Sequence, residues 1–170
     1  LFFQTMDWIK AIRAEVDAPT IVGGVHLSIY PRETLGYSAI DYAVTGEAEA
    51  ALPAMLDALV RGSDLSQVKG IAYRQPDGEI VVTPKAADCD VNAAPFPARH
   101  LIDNSLYYSF ISKYKNFSCF ITSRGCPYKC IFCEQGSKTF RPRSPKNVVD
   151  ELEMCVNEFG IRELDFFDSS

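Results

Sequence analysis

The sequence predicts an α/β protein in which helices cover mostly parallel strands, arranged as two successive units. Three observations carry this expectation. Helical and strand patterns alternate over residues 5–61 with short links, which is the signature of a parallel, helix-covered sheet. The order strand, loop, helix, strand recurs over residues 116–167. The loop of that second pattern, at the C-terminal end of its strand, holds Cys126, Cys130 and Cys133 within eight residues. Composition agrees with an ordinary globular chain: of 170 residues 47% are apolar and 23% charged. A net charge of −5 without a long basic run argues against a nucleic-acid partner. No apolar run approaches the roughly 20 residues of a membrane span.

Taken in order, Thr5 to Val16 spaces Met6, Ile9, Ile12 and Val16 as one helical stripe. Pro19 breaks it, and Thr20 to Gly23 reads as a short strand ending in Gly23-Gly24. Pro31 to Leu35 begins like a helix, with Pro in the first turn. Asp41 to Thr45 is a second strand, ending in Gly46-Glu47. Glu47 to Arg61 is an amphipathic helix with Ala48, Ala51, Leu52, Met55, Leu56, Leu59 and Val60 on one stripe, and Gly62 stops it. In open α/β sheets ligands bind beyond the carboxyl ends of strands. Glycine at both ends here lets a backbone approach a ligand closely; ordinary strand-to-loop turns are the competing explanation.

Val68 to Arg74 and Glu79 to Thr83 read as a hairpin around Gln75-Pro76-Asp77-Gly78. Pro84 to Asn104, with Pro84, Pro95 and Pro97, reads as an ordered linker. Asp103 to Tyr114 carries Tyr107, Tyr108, Phe110 and Tyr114, expected to pack at a domain interface or a barrel mouth. Asn116 to Ser123 is a buried strand pattern, and Cys119 within it reads as a small core residue. Pro145 to Phe159 is a helix started by Ser144-Pro145 and ended by Gly160. Its expected inner stripe is Val148, Val149, Leu152, Val156 and Phe159, with Glu151, Glu153 and Glu158 outside and Cys155 in the core. Glu163 to Phe167 is the last strand.

Thiolates are the usual ligands of iron–sulfur clusters, which take four of them. Three cysteines leave one iron open to another ligand, as a catalytic cluster needs. Zinc competes, with Cys119 as a fourth sulfur in C-x6-C-x3-C-x2-C, although structural zinc sites pair their ligands on two separated knuckles. A disulfide framework is the weakest reading, because the chain is not small and cysteine-dense. Free thiols meant for a cluster argue for a reducing cytoplasm.

The stretch S-R-G-C-P-Y-K-C-I-F-C-E-Q-G, with its C-x3-C-x-aromatic-C core, resembles the signature of the radical S-adenosylmethionine (SAM) enzymes. That resemblance implies a [4Fe-4S] cluster on Cys126, Cys130 and Cys133, with Phe132 near the adenine of SAM. It implies that SAM is cleaved reductively to a 5′-deoxyadenosyl radical. It places Asp168, Ser169 and Ser170 beside the methionine part of SAM, where many members have Gly-Gly-Glu instead. Arg141 and Arg143 either meet the SAM carboxylate or are solvated. Upstream, G-G-V-H-L-S-I-Y-P-R-E-T-L followed by D-Y-A-V-T-G-E-A-E resembles the second half of the cobalamin-binding domain found before the radical SAM domain in one large subgroup. A-P-F-P-A-R-H-L resembles the segment just before such barrels.

The resemblance implies a fold made of the C-terminal half of a flavodoxin-like cobalamin-binding domain (residues 1–66), a hairpin and linker (67–115), and the start of a radical SAM (β/α) partial barrel (116–170). Gly23, Gly24, Gly46 and Glu47 would hold cobalamin; His26 and Ser28 match the subgroup without an assigned role. The expected protein is a cobalamin-dependent methyltransferase or cyclase acting on a small molecule, with a flavodoxin or ferredoxin as electron donor. A radical SAM methylthiotransferase and a non-catalytic zinc or iron–sulfur scaffold are the alternatives. The chain reads as an internal piece of a longer protein, inactive alone.

Overall fold

A computed structural model describes residues 2–133 and 139–169, so Ser170 and the Glu134-Gln135-Gly136 end of the cysteine stretch lie outside the described residues. The chain divides into two compact units, Leu1–Cys89 and Asp90–Ser170.

The first unit is a four-stranded sheet between helices. Helix α1 (Phe2–Glu15) precedes strand β1 (Ile21–Val22). Two short helices, α2 (Val25–Ile29) and α3 (Pro31–Leu35), lead to β2 (Tyr42–Val44), and α4 (Ala48–Arg61) leads to the hairpin β3 (Ile71–Arg74) and β4 (Ile80–Val82). The sheet order is β1-β2-β3-β4. Strands β1 and β2 are parallel, with Val22 opposite Ala43, and the other pairs are antiparallel. The expected hairpin therefore extends the sheet, which is mixed rather than purely parallel.

Side chains of a strand alternate between faces, and this sheet uses both. Ala43 and Ala72 pack under Met6, Ile9, Leu27 and Leu35, while Val44, Ile71 and Tyr73 pack under Ala51 and Met55. The small residues face the side where three helices crowd. The hairpin turn is closed by Gln75 N–H to the Glu79 carbonyl at 2.8 Å and by Asp77 Oδ1 accepting the Glu79 N–H at 2.9 Å.

The second unit pairs β5 (Phe117–Phe120) with β8 (Glu163–Phe166) in parallel, connected through α5 (Pro145–Phe159). A two-residue antiparallel ladder, β6 (Ser123–Arg124) with β7 (Arg141–Pro142), lies between β5 and α5 in sequence. Phe120, Cys155 and Ile161 form the core, with Leu152 and Leu164 against it. Ser144 starts α5 by accepting the Asn147 N–H, and the chain leaves it through a left-handed Gly160.

Several expectations are corrected. Glu151 is 2% exposed rather than outside, while Val149 and Val156 are about half exposed. The buried face of α5 is Val148, Glu151, Leu152, Cys155 and Phe159, a cleaner i, i+3, i+4 stripe. On α1 only Met6 and Ile9 are buried, Ile12 is exposed, and Val16 lies just beyond the helix and is exposed too; on α4 Leu56 and Val60 are exposed. Cys119 is exposed, because Phe120 takes the inward position and its neighbour must point the other way. The aromatic run of 107–114 is also exposed, with Phe110 at 94%. Its backbone is what is tied down: Tyr107 O accepts the Phe117 N–H, and Glu163 Oε2 accepts the N–H groups of Lys113 and Tyr114.

Candidate functional site

The cysteine loop runs between β6 and β7, so their ladder closes its base. Thr122 O accepts the Arg143 N–H at 2.8 Å, adding one more rung beside the ladder. Above this base Cys126 is half-buried and Cys130 and Cys133 are exposed, and all three are free thiols. The Cys130 carbonyl accepts the Cys133 N–H at 3.1 Å in a tight turn. Phe132, the residue before Cys133, is 90% exposed. The donor set suits a cluster by its chemistry, three free thiols local in sequence on a loop tied at its base, while their sulfurs are not gathered within 4.8 Å of one another in this structure.

Asp168 follows β8 and reaches back to that base. Its carboxylate accepts the Thr122 N–H (2.8 Å) and hydroxyl (2.6 Å), and the Ser123 N–H (2.7 Å) and hydroxyl (3.0 Å). Burial pushes its pKa up, but these hydrogen bonds outweigh burial and hold the carboxyl below its ordinary value. Asp168 is thus engaged with the strand that feeds the cysteine loop.

Arg143, at the loop's far end, is neither solvated nor idle. It pairs with Glu151 Oε2 at 2.6 Å, donates to the Ile121 carbonyl at 2.9 Å, and donates to Asn147 Oδ1 at 2.6 Å. Arg99, from the P-A-R segment, pairs with Glu151 Oε1 at 2.6 Å. The two guanidinium groups lie 5.8 and 5.3 Å from the Phe120 ring centroid. This Arg99–Glu151–Arg143 triad is nearly fully buried. Sequence reading missed it, although Arg99 within a proline-rich segment was a usable signal. A cavity of about 480 Å3 opens beside it, walled by Pro95, Phe96, Cys119, Ile121 and Phe167. Burial pushes the Cys155 thiol up, which suits a core residue and not a metal ligand.

In the first unit, the turns after β1 and β2 hold the other expected residues. Gly24 (φ +106°) and Gly46 (φ +100°) are in the left-handed region that side chains avoid, and a Cβ built on either meets nothing within 4 Å. A Cβ on Gly23 would lie 3.8 Å from the Val44 carbonyl oxygen, an ordinary contact. Bare backbone thus faces open space at two adjacent strand ends and is accessible to a ligand. Glu47 turns elsewhere: its Oε2 accepts the Cys89 N–H at 2.7 Å, with Glu49 in the same cluster. His26 stacks on Phe2 at 4.4 Å between centroids and lies against Tyr30. Among the described residues no helix is long and apolar enough to cross a membrane.

No protein-family model matches the chain. An uncharacterized methyltransferase of Pyrococcus horikoshii is 31% identical over 158 residues, 88% of this chain and 33% of that protein. An anaerobic magnesium-protoporphyrin IX monomethyl ester cyclase of Rubrivivax gelatinosus is 32% identical over 151 residues, 85% of this chain and 27% of that protein. The chain thus spans about a third or less of the length of these relatives. Among solved structures, the radical SAM methyltransferase TsrM from Kitasatospora setae, with tryptophan and a SAM analogue bound, superimposes with a TM-score of 0.64 at 27% identity, covering 96% of this chain and 32% of TsrM. TsrM has also been solved with cobalamin and a [4Fe-4S] cluster, at a TM-score of 0.65. With this likeness running through both units and the cysteine signature in place, the chain belongs to the radical SAM enzymes that carry a cobalamin-binding domain.

Proposed function

We propose that the protein carrying this chain is a cobalamin-dependent radical SAM enzyme acting on a small-molecule substrate, as a methyltransferase or a cyclase, with a flavodoxin- or ferredoxin-like electron donor. The observation that carries this reading is the set of three free thiols on one loop whose base is held by the β6–β7 ladder, Asp168 and Arg143. When bound, the cluster supplies the reductive cleavage of SAM, and cobalamin supplies methyl transfer or a related radical rearrangement. Cys126, Cys130 and Cys133 would hold the cluster as thiolates and leave one iron for SAM. Phe132, exposed beside Cys133, would cover the adenine. Gly23, Gly24 and Gly46 would let the backbone lie against cobalamin. Glu47 would act at one remove, through its hold on Cys89. Asp168 would keep Thr122 and Ser123, and through them the loop, in place for SAM.

Full-length protein reconstituted without oxygen, with iron and sulfide, is expected to carry a four-iron cluster. Cys126→Ala, Cys130→Ala and Cys133→Ala are each expected to lose it, and Cys89→Ala and Cys155→Ala to keep it. Cys119 is exposed and therefore belongs in the same series. Stoichiometric zinc in protein purified without oxygen, lost in Cys119→Ala, would replace this reading by the scaffold.

A further inference from the structure

The two glycine turns are connected by one side chain. Ser28, on α2, accepts the Gly46 N–H at 3.0 Å and lies 3.4 Å from the Gly24 carbonyl, to which its hydroxyl can donate. A hydroxyl is both donor and acceptor, so Ser28 can bridge the two turns while an aliphatic side chain cannot. Its own position is fixed from the helix. Leu27 is buried at 5% exposure, and His26 is stacked against Phe2 and Tyr30.

We infer that Ser28 is a positioning residue that sets the spacing of the Gly24 and Gly46 turns, and thereby the fit of the cofactor laid across them. This rests on the proposal that these turns carry cobalamin. The turns follow adjacent parallel strands, yet each glycine is held at a positive φ with open space above it. A rigid ligand touching both backbones is sensitive to the distance between them. The Ser28 hydroxyl is in place to hold that distance before the ligand arrives, so binding need not include the cost of ordering the turns.

The test compares Ser28→Thr, Ser28→Val and Ser28→Ala in the full-length protein, titrating each with cobalamin. Thr and Val have nearly the same shape, so the effect of β-branching in α2 cancels between them and only the hydroxyl differs. Ser28→Thr is expected to bind near wild type. Ser28→Val and Ser28→Ala are expected to bind about tenfold more weakly, the worth of one hydrogen bond, with unchanged iron content and an apo-protein melting temperature lowered by no more than a few degrees. Equal affinity of the Thr and Val variants would overturn the inference. So would loss of cobalamin, iron and thermal stability together in Ser28→Val, which marks a residue needed for folding at large. Wild-type protein that binds no cobalamin would instead overturn the underlying proposal, and this inference with it.

Discussion

Asp168 is the residue on which most local structure converges. Four hydrogen bonds from two neighbouring residues end on its two oxygens, and they link the end of β8 to Thr122 and to Ser123, the first residue of β6. Asp168→Asn replaces one acceptor oxygen by a donor that faces other donors, and is expected to cost about 2 kcal/mol of stability. The sign of the pH dependence follows from a folded pKa below the unfolded one. The carboxylate's contribution is complete above the unfolded value of about 4 and is lost as pH falls through the folded value. Denaturant titrations should therefore show a wild-type advantage over Asp168→Asn that is constant above about pH 5 and shrinks below about pH 4. An advantage that does not change down to pH 2 would show that the charge is immaterial. At this scale the sequence was most legible where chemistry is local. The three cysteines and the two glycine turns need no distant partner to be recognised. The burial of Glu151 could not be read this way, since its partner Arg99 lies 52 residues earlier.

Helix α5 shows how that one long-range pair reorganises an element. Counting only apolar residues places Val149 and Val156 inside and Glu151 outside, a stripe rotated from the true one. Once Arg99 and Arg143 supply opposite charges, Glu151 becomes an interior residue, and the helix turns to bring Cys155 onto Phe120. Removing one member of such a buried group leaves uncompensated charge. Glu151→Gln is expected to destabilise the second unit by about 3–5 kcal/mol, measurable by chemical denaturation. The triple replacement Arg99→Met, Glu151→Leu, Arg143→Leu is expected to recover most of that loss, because apolar groups of similar size have no desolvation penalty. A triple variant as unstable as Glu151→Gln would mean that the hydrogen bonds of Arg143 to Ile121 and Asn147 matter more than the charges. The hairpin shows the same limit of local reading. Its turn was evident from Pro76-Asp77-Gly78, but not its pairing with β2, which depends on Ile71 and Tyr73 sharing a face with Val44.

Across the whole molecule, the proposed function draws on two sets of residues, one in each unit. Bare glycine backbone marks the strand ends of the first unit, and exposed thiols mark the loop of the second. Large apolar side chains such as Phe110, Ile131 and Phe132 are exposed as well. Exposed apolar surface on this scale marks interaction surfaces or an aggregation liability, and residues 1–170 produced alone are expected to be poorly soluble and to hold no cobalamin. A soluble 170-residue monomer that unfolds cooperatively would contradict that expectation. In the proposed function Cys126, Cys130 and Cys133 form a catalytic rather than a structural centre. The most direct measurement is the formation of 5′-deoxyadenosine from SAM by full-length, anaerobically reconstituted protein supplied with a low-potential reductant. The wild type is expected to form 5′-deoxyadenosine, and Cys126→Ala, Cys130→Ala and Cys133→Ala none. A wild type that holds its full four-iron cluster yet leaves SAM intact, under conditions in which its cluster is reduced, would contradict it.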